Sequence, residues 1–242
     1  MFSSVLQICV FKGLLGGREI NLVMASCSAS KDDSVSIPEG SRVVEPSYYL
    51  DRVLVPGLLH IRERIFRDPR ACIGARTTYA FDSYVRAGRA YKSLLEDNYD
   101  RLKAKLLSSG SIEWFFLSGG YGIVHALEEA RKYQATFNQS IAYKNRIPYT
   151  VKLWKPILTS LCDNVIAKFR PDFLYVFGSR DYTEFIKQTS FWRTRDNVRI
   201  FESTGSSGPT WLSPILNELV ESVLGGTIEA FNKHYKKFTK QQ

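Results

Sequence analysis

The stretch Trp114-Phe115-Phe116-Leu117-Ser118-Gly119-Gly120-Tyr121-Gly122 is a short apolar run that stops in a turn of small residues. An apolar run of this length predicts a buried strand. Three glycines within four positions leave backbone amides that a ligand can approach closely. In an open α/β sheet, ligands bind at the loops that follow the carboxyl ends of strands. The stretch therefore predicts a central strand with a site at its end, although the same glycine pattern is also that of an ordinary tight turn.

The pattern of an apolar run followed by small polar residues recurs along the chain. Residues 20–25, 173–177 and 198–202 are further predicted strands, and each is followed by serine or glycine. The sequence thus predicts one α/β domain over residues 1–242, with a central, largely parallel sheet flanked by helices and ligand-binding loops at the strand carboxyl ends. The candidate ligand-binding residues in these loops are Ser26, Ser28, Ser118, Gly119, Gly120, Gly122, Ser179, Arg180, Gly205 and Ser206.

The helices are predicted from apolar residues at spacings of three and four. The longest pattern covers residues 80–107, and we expect one long amphipathic helix there. Further helices are expected over 48–66 with a break at Pro56-Gly57, and over 149–169, 181–188 and 211–224. Residues 5–11 are predicted to form one more strand, and residues 32–46 an exposed loop.

Composition narrows the partners and the compartment. The chain has 242 residues, 44% of them hydrophobic, which is enough for a sizeable core. Its formal charge of +9 and pI near 9.4 favour a polyanionic partner, either nucleic acid or an acidic membrane surface. Four widely spaced cysteines without C-x-x-C spacing argue against a zinc site or a disulfide framework. With no signal peptide or membrane span predicted, we expect a cytoplasmic protein with reduced thiols.

Residues 131–155 form a basic segment with interleaved aromatic residues, and no Asp or Glu occurs from Ala130 to Cys162. Cations neutralise phosphates and aromatic rings stack on bases, as binding of single-stranded or distorted nucleic acid requires. The same aromatics could instead belong to the core, as expected for Trp154. The candidate nucleic-acid-binding residues are Arg131, Lys132, Lys144, Arg146, Lys152 and Lys155.

Familiar catalytic signatures are absent from the sequence: there is no G-x-S-x-G elbow, no Walker phosphate loop and no H-E-x-x-H motif. No metal site and no cofactor are indicated. Lys31, three residues after Ser28, could neutralise a phosphate or act as a base if burial lowered its pKa. Glu128 could hydrogen-bond a nucleobase edge, act as a general base or support an oxocarbenium-like centre, or it could merely cap a helix. With Tyr121, these two residues are the candidate catalytic groups, expected to meet in one cleft.

Three segments resemble the YaaA-like proteins, a family linked to peroxide stress and DNA binding. They are the Ser-x-x-Lys turn ending at Lys31, the stretch 117–122 followed by Glu128 and Tyr133, and Gly178-Ser179-Arg180-Asp181-Tyr182. The family often has Pro where Ala126 stands and Arg where Gln134 stands. The resemblance implies an α/β fold with a positively charged cleft, adds Tyr133 to the ligand-binding candidates, and implies DNA binding.

Two functional hypotheses follow. The first is a cytoplasmic DNA-binding protein of the stress response that protects or processes DNA under oxidative stress. The second is an enzyme that acts on a nucleotide, nucleoside or nucleic-acid base at the strand-end cleft, by N-glycosidic or base-modification chemistry. Ligand specificity separates the two, since an enzyme site should hold a mononucleotide or base whereas a pure binder should need a polymer.

Overall fold

The computed structural model describes residues 19–108, 111–203 and 208–238. The predicted strand 5–11 and the candidate residues Gly205 and Ser206 lie outside these ranges. In chain order, the strands are β1 Asn21–Ser26, β2 Thr77–Tyr79, β3 Ile112–Ser118, β4 Gly122–His125, β5 Glu129–Arg131, β6 Phe173–Ser179 and β7 Val198–Ser203. The α-helices are α1 Pro46–Tyr49, α2 Val55–Phe66, α3 Ala80–Val85, α4 Lys92–Asp97, α5 Tyr99–Leu107, α6 Gln139–Asn145, α7 Val151–Trp154, α8 Leu158–Phe169, α9 Arg180–Lys187, α10 Ser190–Thr194, α11 Gly208–Gly225 and α12 Ile228–His234.

Five strands form one sheet in the order β4-β3-β1-β6-β7. Strands β3, β1, β6 and β7 are parallel, and only β4 is antiparallel. Every residue of β3 is buried, as expected for a parallel strand covered on both faces. The predicted α/β fold with a largely parallel sheet is confirmed, and so are the four predicted strands. Strands β2 and β5 form a separate two-stranded sheet.

The strand register places the predicted loops on one edge of the sheet. Ser26 at the end of β1 lies opposite Leu117 of β3, and Ser179 at the end of β6 lies opposite Ser203 of β7. The carboxyl ends of all four parallel strands therefore meet at a common edge, here called the strand-end edge.

The glycine-rich stretch is the turn of a β-hairpin, since Ser118 pairs with Gly122 across β3 and β4. Its glycines are required by packing. A Cβ on Gly120 would lie 2.6 Å from the ring of Tyr133, and one on Gly122 would lie 2.5 Å from Trp154. Gly122 also has a φ of +71°, a conformation that side chains other than hydrogen resist. On the side where a Cβ would stand, the space that these glycines leave is filled by the protein itself.

The prediction of a single helix over residues 80–107 is wrong. The chain forms the three helices α3, α4 and α5 there. Gly88 is extended and lies against Ser28, Tyr84 and Tyr91, where a side chain would not fit. The second break falls at Asn98, whose amide donates to Asn217 Oδ1 of α11 at 2.8 Å. Contacts with other elements thus override a continuous amphipathic pattern.

Two other predicted helices are also divided. Over 48–66, the break lies at residues 50–54, and Pro56 stands in the first turn of α2, where its missing N–H costs nothing. Over 149–169, the chain breaks around Pro156, between α7 and α8. The helices predicted at 181–188 and 211–224 are confirmed as α9 and α11. Among the described residues, no helix has both the length and the apolarity that crossing a bilayer requires.

Gly122→Ala should lower the free energy of unfolding by about 2–5 kcal/mol, because a positive φ costs ~1–2 kcal/mol and overlap with Trp154 costs ~1–3 kcal/mol. Gly40 is the matched control, with a φ of +74° and no atom within 4 Å of an added Cβ. Gly40→Ala should lose only the backbone contribution. Urea unfolding of both variants measures the difference, and equal losses would contradict the packing role of Gly122.

Candidate functional site

A buried cluster of hydroxyl groups and one thiol occupies the strand-end edge. Ser118 Oγ, at the end of β3, lies 2.5 Å from Tyr133 Oη and 3.4 Å from Tyr84 Oη. Tyr133 also donates to Cys27 Sγ, just after β1, at 3.5 Å, and Tyr182 Oη of α9 lies 3.8 Å from the same sulfur. Burial raises the pKa of the Tyr84, Tyr133 and Tyr182 hydroxyls well above the usual range. These phenols are therefore neutral donors and acceptors that tie three strand ends together.

Of the predicted ligand-binding residues, Ser118 and Tyr133 are in this cluster, and Ser26 and Ser28 lie beside it. Ser26 accepts a hydrogen bond from Tyr91 at its carbonyl oxygen, and buried Ser28 donates to the carbonyl oxygen of Ser30. Tyr84 and Tyr91 were not predicted as site residues. They lie within the pattern assigned to one long helix, where periodicity identifies core positions and cannot tell which hydroxyl reaches a strand end.

Lys31 is the predicted catalytic residue that the structure brings to the cluster. Its side chain lies over the ring of Tyr133, with Nζ 4.2 Å from the ring centroid, and it donates to the carbonyl oxygen of Ala29 at 3.2 Å. Only 7% of the residue is exposed. Burial lowers the pKa of the Lys31 ammonium, and the neighbouring Cys27 opposes that shift. The structure thus contains a buried amine whose charged form is disfavoured.

The expected pairing of Lys31 with Glu128 does not occur. Glu128 forms a buried ion pair with Arg62 of α2 and accepts a hydrogen bond from Tyr49 Oη at 2.7 Å. Arg62 also donates to the carbonyl oxygens of Tyr121 and Ile123, at 2.9 and 2.8 Å. Every polar side-chain atom of Glu128 and Arg62 therefore has a hydrogen-bond partner. Together these bonds hold the β3–β4 hairpin against α2. Glu128 therefore has a structural role. The element that follows it is strand β5, so Glu128 does not cap a following helix.

Tyr121 is also engaged in structural contacts. Its hydroxyl accepts a hydrogen bond from the backbone N–H of Arg131 at 2.7 Å, and its ring packs against Phe66. The ring lines a depression of about 340 Å³ together with Thr77 and Glu129. Tyr121 therefore packs against α2 and the small sheet, and its ring lies 5.4 Å from that of Tyr133 between centroids.

Arg180 and Ser179 lie at the end of β6. The guanidinium of Arg180 is largely exposed and pairs with Glu184 at 3.4 Å, one turn further along α9. Ser179 is the N-cap residue of α9, but its side chain makes no capping hydrogen bond. Among the described residues, no group of three or more His, Cys, Asp or Glu side chains is placed to hold a metal ion.

The basic segment presents its cations to solvent. All six candidate residues, from Arg131 to Lys155, are exposed, and none of them forms an ion pair with a described carboxylate. Its aromatic residues divide into two groups. Tyr133, Phe137 and Trp154 are buried, whereas Tyr143 is 89% and Tyr149 37% exposed. The expectation that some of these aromatics belong to the core is confirmed for the first group.

The basic segment is attached directly to the strand-end edge. The carbonyl oxygen of Gly119 accepts hydrogen bonds from Thr150 Oγ1 at 2.7 Å and from Trp154 Nε1 at 3.0 Å. At the other end of the segment, Asn138 caps α6 and donates to Asp181 Oδ2 of α9 at 2.7 Å. The basic segment is therefore fixed to Gly119, the neighbour of Ser118 in the buried cluster, and to the first turn of α9.

Glu128→Gln should lower the free energy of unfolding by about 3–5 kcal/mol, because it leaves the buried Arg62 guanidinium without its counter-charge. The exposed pair of Arg67 with Glu63 on α2 provides the control, and Glu63→Gln should cost less than ~1 kcal/mol. Chemical denaturation of the two variants measures both values. A loss for Glu128→Gln no larger than that of the control would contradict the structural role of Glu128.

Lys31→Met should raise the stability of the protein at neutral pH, because it removes a buried ammonium without removing the apolar stem. A lowered pKa means that the folded state binds fewer protons than the unfolded state between that pKa and 10.5. Wild-type stability therefore rises with pH across this interval. The advantage of Lys31→Met should shrink over the same interval, as followed by urea unfolding at a series of pH values. The exposed Lys92→Met is the control, and a loss of stability in Lys31→Met at neutral pH would contradict the claim that the charge is uncompensated.

Neither a model of a protein family nor a curated protein sequence matches the chain. The resemblance to the YaaA-like proteins rests on the three motif segments alone.

Proposed function

We propose that the protein binds nucleic acid through the basic segment, residues 131–155. The observation that carries this proposal is the set of six exposed cations without ion pairs in the described part of the chain. A surface cation that is not neutralised internally is available to a phosphate, and each such contact releases counterions from the nucleic acid. The net charge of +9 adds a long-range attraction to the same polyanion.

The exposed aromatics favour single-stranded nucleic acid. Tyr143 on α6 stands between Ala142 and Lys144 with 89% of its surface in solvent, which no packing requirement explains. Tyr149 is exposed between Arg146 and Lys152. A ring beside a cation can stack on an unpaired base while the cation holds the adjacent phosphate, and unpaired bases occur in single strands, loops and frayed ends.

The segment is also preorganised, which favours binding because little conformational freedom is lost. The side chain of Asn138 accepts a hydrogen bond from Ile141 N at the start of α6, and the backbone of Thr136 bonds to Pro148 and Thr150 across the segment. These bonds hold the chain on either side of Lys144 and Arg146. By resemblance to the YaaA-like proteins, we propose DNA as the natural partner and protection or processing of DNA under oxidative stress in the cytoplasm as the role.

Replacing Lys144, Arg146 and Lys152 together by Glu should abolish most oligonucleotide binding. If each residue neutralises one phosphate, the slope of log affinity against log salt should become shallower by about 2 on a single strand and about 3 on duplex. Fluorescence anisotropy of a labelled oligonucleotide at several salt concentrations measures this slope.

The matched control replaces three exposed cations outside the segment, Arg52, Arg64 and Lys92, by Glu. This variant has the same net charge as the test variant, so any effect of overall charge is equal in both. Binding that is equally weakened in both variants, or unchanged in the test variant, would remove the basic segment from the interface.

Tyr143→Ala should weaken binding to a single-stranded oligonucleotide by about 1–3 kcal/mol, which is the usual contribution of one stacked base. Tyr143→Phe retains the ring and should bind nearly as well as wild type. Both variants should fold normally, because the side chain is exposed. An equal loss of affinity in the two variants would indicate that the hydroxyl, and not stacking, is recognised.

A second candidate function is an enzyme that acts on a nucleotide, nucleoside or base at the strand-end edge. It is favoured by the buried amine of Lys31, which lies over the ring of Tyr133, a residue of the basic segment. Chromatography of nucleotides and nucleosides after incubation with the protein tests this candidate. A new product that Lys31→Met fails to form would support it.

A further inference from the structure

Lys31 forms no ion pair with any Asp or Glu side chain in the part of the chain that the structure describes. All Asp and Glu residues of the chain lie within the described ranges. Its ammonium contacts a carbonyl oxygen and an aromatic ring. Of the three N–H donors, only one has a hydrogen-bond partner among the described residues. Buried charges in proteins are almost always paired, so Lys31 is a candidate for a counter-charge that comes from outside the chain.

The N-terminus of α9 lies at the same edge of the sheet. This helix follows β6, the neighbour of β1, and its N-cap residue Ser179 makes no side-chain cap. The first-turn amides of a helix without a cap carry partial positive charge. Tyr182, in this first turn, reaches Cys27 Sγ at 3.8 Å, which joins α9 to the loop of Lys31. The one carboxylate in the turn, Asp181, accepts a hydrogen bond from Asn138 on the side of α6.

We propose that the strand-end edge between Lys31 and the first turn of α9 binds a phosphate monoester. The phosphate supplies the counter-charge that Lys31 lacks, and the α9 amides donate to its remaining oxygens. The proposal rests on the proposed nucleic-acid binding and deepens it. It identifies the end of a strand, or a mononucleotide, as the group that is recognised.

Burial favours a terminal phosphate over an internal one. Only 7% of Lys31 is exposed, whereas the adjacent Ala29 and Ser30 are open to solvent. The amine therefore lies just beneath the surface. A terminal phosphate monoester carries the nucleic-acid chain on one side only, so it can reach the amine below the surface. An internal phosphodiester carries the chain on both sides, and both would have to fit into the site. The strand that leaves the site would pass Tyr133 and continue over the exposed cations that follow it in sequence.

Inorganic phosphate is the direct probe of this site. It should raise the melting temperature of the wild-type protein by an amount that grows with the logarithm of its concentration. Lys31→Met, although more stable without ligand, should bind phosphate about tenfold or more weakly, since it lacks a charge-assisted hydrogen bond. Lys92→Met removes the same charge from an exposed position and should respond like wild type. An equal response in all three proteins would overturn the proposal.

Oligonucleotides then identify the source of the phosphate. A single strand with a 5′-phosphate should bind at least severalfold more tightly than the same strand with a 5′-hydroxyl, and Lys31→Met should abolish this preference. If adenosine 5′-monophosphate binds as tightly as the phosphorylated strand, the site recognises a free nucleotide. No preference for the phosphorylated strand, combined with no Lys31-dependent binding of the mononucleotide, would overturn the proposal. Nucleic-acid binding by the basic segment would still stand in that case, because it is measured on the charge-reversal variant.

Discussion

The hydrogen bond between Ser118 Oγ and Tyr133 Oη, 2.5 Å long and fully buried, is the contact on which the strand-end edge depends. It joins the end of the central strand to the first aromatic residue of the basic segment. Because Tyr133 lies against Gly120, the hairpin turn can contain no side chain at that position. The amine of Lys31 lies over the same ring, 4.2 Å from its centroid. One phenol therefore fixes the turn, positions the amine and attaches the exposed cations to the sheet.

Two of the three buried lysine and arginine residues in the described part of the chain, Arg62 and Lys31, show how a structural role can be separated from a functional one on physical grounds. Arg62 has a carboxylate, a phenol and two carbonyl oxygens as partners, so its charge is compensated within the fold. Lys31 has a comparable burial and no carboxylate. A buried charge without a counter-charge lowers the stability of the fold. A bound ligand of opposite charge supplies that counter-charge and raises the stability again. By this criterion, Lys31 is the candidate functional residue at the strand-end edge, and Glu128 belongs to the scaffold.

The strands and their common edge could be predicted from the sequence, because buried parallel strands are continuous apolar runs that end abruptly in small residues. The bounds of the helices were less predictable from the sequence. Over residues 80–107 the helical spacing of apolar residues continues through Gly88 and Asn98, although the helix breaks at both positions. Strand β4 was not predicted, because the sequence of a glycine-rich turn does not show whether a strand or a helix follows it. Among the site residues, Lys31 and Ser118 were predicted to share the edge and do. The partner of Glu128 was not predictable, since Arg62 lies 66 residues away and nothing in the local pattern marks it.

Hydrogen–deuterium exchange of the protein with and without a 5′-phosphorylated single strand tests most directly whether the edge and the basic segment act as one nucleic-acid-binding surface. We expect slower exchange at residues 27–31, at the first turn of α9 and over 139–155, because a bound strand would cover these backbone amides together. Protection confined to other parts of the chain, or no change at residues 27–31 under saturating strand, would contradict this account.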